Sequence, residues 1–89
     1  MGNKMWQVQI NISEVDRMTR VEARLSGKDS EELVGQGTAR CNPADENVPS
    51  IGDELATARA LSDLAHQLLH AAAKDIEAHT HERVQRLRT

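Results

Sequence analysis

The sequence predicts an α+β domain in which a three-stranded antiparallel meander lies under one long C-terminal helix, in the order β-β-β-α. Three observations carry this. Two early segments alternate apolar and polar residues with the period of a half-buried strand. A third short segment, bounded by turn residues, sets two glycines on one side of a strand pattern. Beyond residue 50 the apolar residues recur every three or four positions, which is the period of a helix.

The first strand is predicted over about residues 4–12, with Trp6, Val8, Ile10 and Ile12 on one side and Gln7, Gln9 and Asn11 on the other. Residues 13–18 are polar and read as a hairpin connection. The second strand, 19–25, turns Val21, Ala23 and Leu25 inward and Arg20, Glu22 and Arg24 outward. Residues 26–30, Ser-Gly-Lys-Asp-Ser, form a second turn. The third strand, 33–40, has the inward set Leu33, Gly35, Gly37 and Ala39 and the outward set Val34, Gln36, Thr38 and Arg40. Short connections make the three an antiparallel meander with the second strand in the middle. The inward glycines let a helix approach closely.

A loop with Pro43 and Pro49 leads to a helix predicted over about 53–79, with Ser50 or Asp53 as its cap. Ile51, Leu55, Ala58, Leu61, Ala65, Leu68, Ala72 and Ile76 form the stripe expected to face the sheet. Residues 80–89 read as a flexible tail. Such a helix is about 40 Å long and a seven-residue strand about 23 Å, so the helix overhangs its own sheet. A homodimer is the simplest way to cover the apolar residues on the overhang.

At 89 residues the chain reads as one domain, and its core is small: 38% of residues are hydrophobic, with one Trp and no Phe or Tyr. No run approaches the roughly 20 apolar residues of a membrane helix, so a membrane partner is not expected. The single Cys41 excludes an internal disulfide and fits a reducing cytoplasm. The net charge of −3 is segregated: residues 1–43 are neutral, 44–80 carry −5, and the last nine carry +2 through Arg83, Arg86 and Arg88 against Glu82. With a pI near 5.7, non-specific nucleic-acid binding by counterion release is disfavoured.

No catalytic, cofactor-binding or metal-binding residue is predicted. His66 and His70 are four apart, the spacing of two ligands on a helix, with Asp63 on the same side. The face they share also holds Arg59, Lys74 and Glu77 and reads as solvated. Gly35-Gln36-Gly37 lacks the third glycine and helix start of a phosphate loop and reads as packing. Cys41 has no activating partner in sequence, and the carboxylates of the second half are scattered. The best contact candidates are Arg20, Arg24 and Arg40, three arginines on one open sheet face suited to phosphates or an acidic surface. The plainer reading pairs Arg20 and Arg24 with Glu22 and neighbouring acids.

The segment Gly35-Gln36-Gly37-Thr38-Ala39-Arg40-Cys41-Asn42-Pro43-Ala44-Asp45, followed by the block 48–65, closely resembles a family of small actinobacterial proteins defined as a domain of unknown function. Residues 19–25 and 75–78 fit the same pattern, and the resemblance covers about residues 5–81. It implies a variant of the double-stranded-RNA-binding-domain fold, a shape similar to ribosome hibernation factors, and an association with stress and dormancy. It brings no catalytic residue. Binding of ordinary duplex RNA is not expected, because Asp53 and Glu54 stand where that fold carries lysines and its first helix is missing. The expected function is a non-enzymatic, stress-linked protein that associates with the ribosome or its rRNA through Arg20, Arg24 and Arg40. A protein-interaction module without nucleic-acid binding is the alternative.

Overall fold

The chain runs as β1 (Gln7–Val15), β2 (Met18–Lys28), β3 (Glu31–Arg40) and α1 (Pro49–Thr80), in a computed structural model that describes residues 2–29 and 31–80. The predicted tail, with Arg83, Arg86 and Arg88, lies outside the described residues except for Thr80. The sheet order is β1-β2-β3 and both pairings are antiparallel, so the predicted meander with a central second strand is the observed one.

Register follows the alternation. Val8, Ile10 and Ile12 stand opposite Leu25, Ala23 and Val21, which in turn stand opposite Leu33, Gly35 and Gly37. Directly opposed residues share a face, so apart from Trp6 the predicted inner and outer sets hold on all three strands. The boundaries differ. β1 begins at Gln7 and runs on to Val15, because the connection to β2 is a tight loop of Asp16 and Arg17 with Asp16 at a φ of +56°. Trp6 therefore precedes the strand and is exposed. β2 and β3 reach further toward their hairpin than predicted, through an irregularity between Leu25 and Lys28 where Gly27 takes a φ of +99°.

α1 begins at Pro49, four residues before the predicted start, and neither Ser50 nor Asp53 caps it. A proline at the first helical position costs nothing, since its missing N–H would have no helical partner there. The Ile51 amide already donates to the Val48 carbonyl at 3.0 Å.

The helix face that meets the sheet is largely not the predicted one; of the predicted stripe, Leu68 packs against the core. Ala56, Ala60 and Leu64 are buried against Val21, Ala23, Leu25 and Ala39. Ile51, Leu55, Leu61 and Ile76, all in the predicted stripe, are exposed. The reason is the pair of inner glycines. A Cβ on Gly35 would collide with the Ala60 carbonyl and the Leu64 amide, and one on Gly37 with the Ala56 carbonyl and the Ala60 amide. Backbone thus packs on backbone, and only a helix face of short side chains fits.

The helix also sits to one side, over β2 and β3, and barely touches β1. Its flank reaches round the free edge of β3. Arg59 Nη1 donates to the Thr38 carbonyl at 2.7 Å, and Gln67 Nε2 to the Val34 carbonyl at 2.7 Å. Asp63 Oδ2 accepts from the Gln36 amide at 2.8 Å. One face of successive helix turns therefore satisfies the outward backbone groups of an edge strand and blocks further pairing there.

The contact between α1 and β3 should tolerate no side chain at Gly37. Gly37→Val is expected to cost about 3 kcal/mol, at the upper end for overpacking, because the clashing atoms are backbone. Urea unfolding of the variant beside the wild type measures it.

Candidate functional site

The outer sheet face is open, and the register brings Arg20, Arg24 and Arg40 onto it. They do not form one basic patch. Arg24 is held between two carboxylates: Nη2 donates to Glu22 Oε1 at 2.6 Å and Nη1 to Glu32 Oε1 at 2.5 Å. The hydrogen bond to Glu22, then that to Glu32, raises the Arg24 pKa above its ordinary value. Its charge is neutralised locally, as the plainer sequence reading had it. Arg20 is different: its Nε lies 3.5 Å from Met18 Sδ. Among the described residues neither Arg20 nor Arg40 forms an ion pair. Arg40 pairs with Met18 and Arg20 with Thr38, so the two arginines are diagonal neighbours. They line a cleft of about 660 Å³ at the end of the sheet, together with Ser13, Met18 and Asp16.

That cleft is shaped by Arg17, which in the sequence is only one residue of a polar connection. Its Nη1 donates to Cys41 Sγ at 3.1 Å, the Asn42 carbonyl at 3.3 Å and the Asp45 carbonyl at 2.9 Å. Its own carbonyl accepts from the Cys41 amide at 2.8 Å. The Asn42 side chain closes the loop further by accepting from the Ala44 amide at 3.0 Å. Arg17 thus gathers the β3–α1 loop against the β1–β2 turn and fixes where the helix begins. Cys41 serves as an acceptor in this clamp. A long-range contact of this kind leaves no local pattern in the sequence.

The opposite face is apolar and only half covered. Because α1 sits over β2 and β3, only Ile10 among the inner side chains of β1 packs against the core, while Val8 is 44% exposed and Ile12 49%. Leu61, Ala65, Leu68 and Ala72 lie on the helix flank opposite Arg59, Asp63 and Gln67, and so point toward β1. The expected overhang is shorter than predicted. Lys74 and Asp75 still sit beside the β2–β3 hairpin, where they act on Glu31 and Lys28. Sideways placement, more than overhang, leaves the apolar residues bare.

His66 and His70 line a shallow cleft with Glu31, Lys74 and Asp75 at the hairpin end. Asp63, expected beside them, is committed to the Gln36 amide and to Gln67 Nε2 at 3.3 Å. Among the described residues no three His, Cys, Asp or Glu side chains converge as metal ligands would. Among the described residues no helix is long and apolar enough to cross a membrane.

Three antiparallel strands crossed by one close-packed helix, polar on the sheet side and apolar on the helix side, define a small α+β domain. The chain belongs to the Rv2632c-like family, which it matches over residues 4–85. It is 56% identical over 77 residues to the uncharacterized protein Mb1767 of Mycobacterium bovis, covering 86% of this chain and 81% of that one. It is 54% identical over 81 residues to Rv2632c of Mycobacterium tuberculosis, covering 91% and 86% respectively. The crystal structure of Rv2632c superposes with a TM-score of 0.84 at 52% identity, over 92% of this chain and 96% of that one. The actinobacterial resemblance seen in residues 35–65 is therefore one of family.

At the hairpin end, Lys28 Nζ donates to Glu31 Oε2 at 2.9 Å. That hydrogen bond lowers the Glu31 pKa and raises that of Lys28. For a carboxylate with a depressed folded-state pKa, the stabilising contribution is present at neutral pH and is lost as pH falls through that value. Side-chain carboxyl NMR should give Glu31 a titration midpoint below the ordinary glutamate value, and Lys28→Met should move it back up.

Proposed function

We propose that this chain is a non-enzymatic association module that works in the cytoplasm by docking its half-covered apolar face on a protein surface. One observation carries the reading. The core holds four alanines among its seven buried hydrophobic residues, while larger side chains such as Val8, Ile12, Leu61 and Ile76 stay in water. Large apolar side chains left exposed on the helix and on the neighbouring strand of a small domain mark an interaction site. A photo-cross-linking residue at position 61, in cells, should give a protein adduct, whereas one at Gln9 on the polar sheet face should not. Absence of any adduct at position 61 would sink the reading.

A second reading concerns the polar face. Arg20 and Arg40, adjacent and free of carboxylate partners among the described residues, suit an anionic ligand. Ribosomal RNA is the anion that the family resemblance implies, in a stress- or dormancy-linked setting. Arg24 drops out of this site because Glu22 and Glu32 neutralise it. Ordinary duplex RNA is disfavoured by Asp53 and Glu54 in the early turns of α1. Co-sedimentation with ribosomes should fall steeply with salt and be lost in Arg20→Glu/Arg40→Glu. Salt-independent binding, or binding unchanged in the variant, would remove this reading.

A further inference from the structure

We infer that the occupant of the apolar face is a second copy of this chain, joined about a two-fold axis at Ala65 with the two α1 helices antiparallel and side by side between the two sheets. The inference rests on the association reading above and names its partner.

The first argument is symmetry written in the helix itself. Along the outward side of the helix Ala58, Leu61, Ala65, the half-buried Leu69 and Ala72 follow one another at steps of three, four, four and three. The run reads the same in both directions. A two-fold axis at Ala65 therefore sets Ala58 level with the partner subunit's Ala72, and Leu61 level with the partner subunit's Leu69. Two-fold contacts require one patch to complement itself, and they need a small residue at the axis where the helices come closest. A different protein would require no such symmetry.

Shape gives the second argument. The face consists of a ridge, the helix flank, beside a shelf, the uncovered inner side of β1. The sheet is three strands wide, about 14 Å at 4.8 Å per strand, and one helix about 10 Å across leaves room over β1 for part of another. The partner's ridge fits this shelf while its own shelf receives the first ridge. Ile76, which the axis sets level with residue 54 of the partner subunit, then faces the partner's β1 shelf rather than water.

Area gives the third. The flank from Ile51 to Ile76 is about 38 Å long. With a contact width of about 10 Å and the β1 shelf added, each copy offers on the order of 450 Å² of apolar face. A standard interface takes about 800 Å² from each partner, of which about 65% is apolar in homodimers. That share is about 520 Å² of apolar surface from each partner, so this face supplies most of what a standard dimer interface takes.

Light scattering on the purified chain should give twice the 9.9 kDa of one chain. Ala65→Arg, a change at a position exposed in the single chain, should keep the circular dichroism spectrum and weaken self-association about 100-fold, since two like charges would meet at the axis. Ala65→Cys in a Cys41→Ser background should form a disulfide between copies on mild oxidation, as only a residue at the axis meets its own counterpart. A single-chain mass at every concentration overturns the second copy. The association reading then stands if the adduct at position 61 has the mass of another protein, and falls with it if there is no adduct. A dimer that survives Ala65→Arg and leaves Ala65→Cys uncrosslinked uses another surface and also overturns the inference.

Discussion

The close approach of α1 to β3 is the contact on which the rest of the structure depends. Where Gly35 and Gly37 face the helix there is no room for a single Cβ, so peptide groups of the two elements touch directly. Each alanine in such a seam removes little apolar surface from water, at roughly 25 cal/mol per Å². What the seam gains is dense van der Waals contact over several helix turns. It also fixes the rotation of the helix. Ala56 and Ala60 present their backbone to Gly37 and Gly35, and the amide and Cβ of Leu64 also lie against Gly35.

That rotation has two consequences on opposite flanks. On one side it aims Arg59, Asp63 and Gln67 at the backbone of β3, whose carbonyls at Val34 and Thr38 and amide at Gln36 find partners. The edge that would otherwise recruit another strand is closed. On the other side it turns the longer apolar side chains of α1 toward β1 and outward, beyond the reach of their own sheet. A protected edge and an open apolar face are therefore products of one packing constraint. The small domain spends its best hydrophobic residues outside its core, which is reasonable only if something else buries them.

The arginines illustrate how neighbours decide the role of one residue type. Arg17 is drawn into a clamp on the β3–α1 loop through three acceptors. Arg24, with the best-placed carboxylates on either side, becomes part of a neutral sheet surface. Arg20 and Arg40 keep their charge on the open face, next to the cleft that Arg17 helps to shape. Of three arginines that alternation placed on a single face, two remain available to an outside anion.

How much of this was legible in the sequence follows from how many answers each pattern allowed. A strand has two faces, and alternation in Val21, Ala23 and Leu25 chooses between them, so element order, topology and the inner residues of the central strand are legible in the sequence. The family, too, was readable from the block around residues 35–65. A helix offers a continuum of faces, and hydropathy ranks them only by greasiness. It selected Leu68, which does pack against the core, but also Ile51, Leu55, Leu61 and Ile76, and it missed Ala56, Ala60 and Leu64. The deciding quantity was the clearance above two glycines some twenty residues away, and clearance belongs to the assembled structure. The same holds for the Arg17 clamp and for the pairing of Arg24 with Glu32. The sequence by itself determined which elements form and which sides of the strands turn inward, because those depend on local period. The tertiary structure decided which side of the helix was left for another surface, because that depends on how closely two backbones can meet.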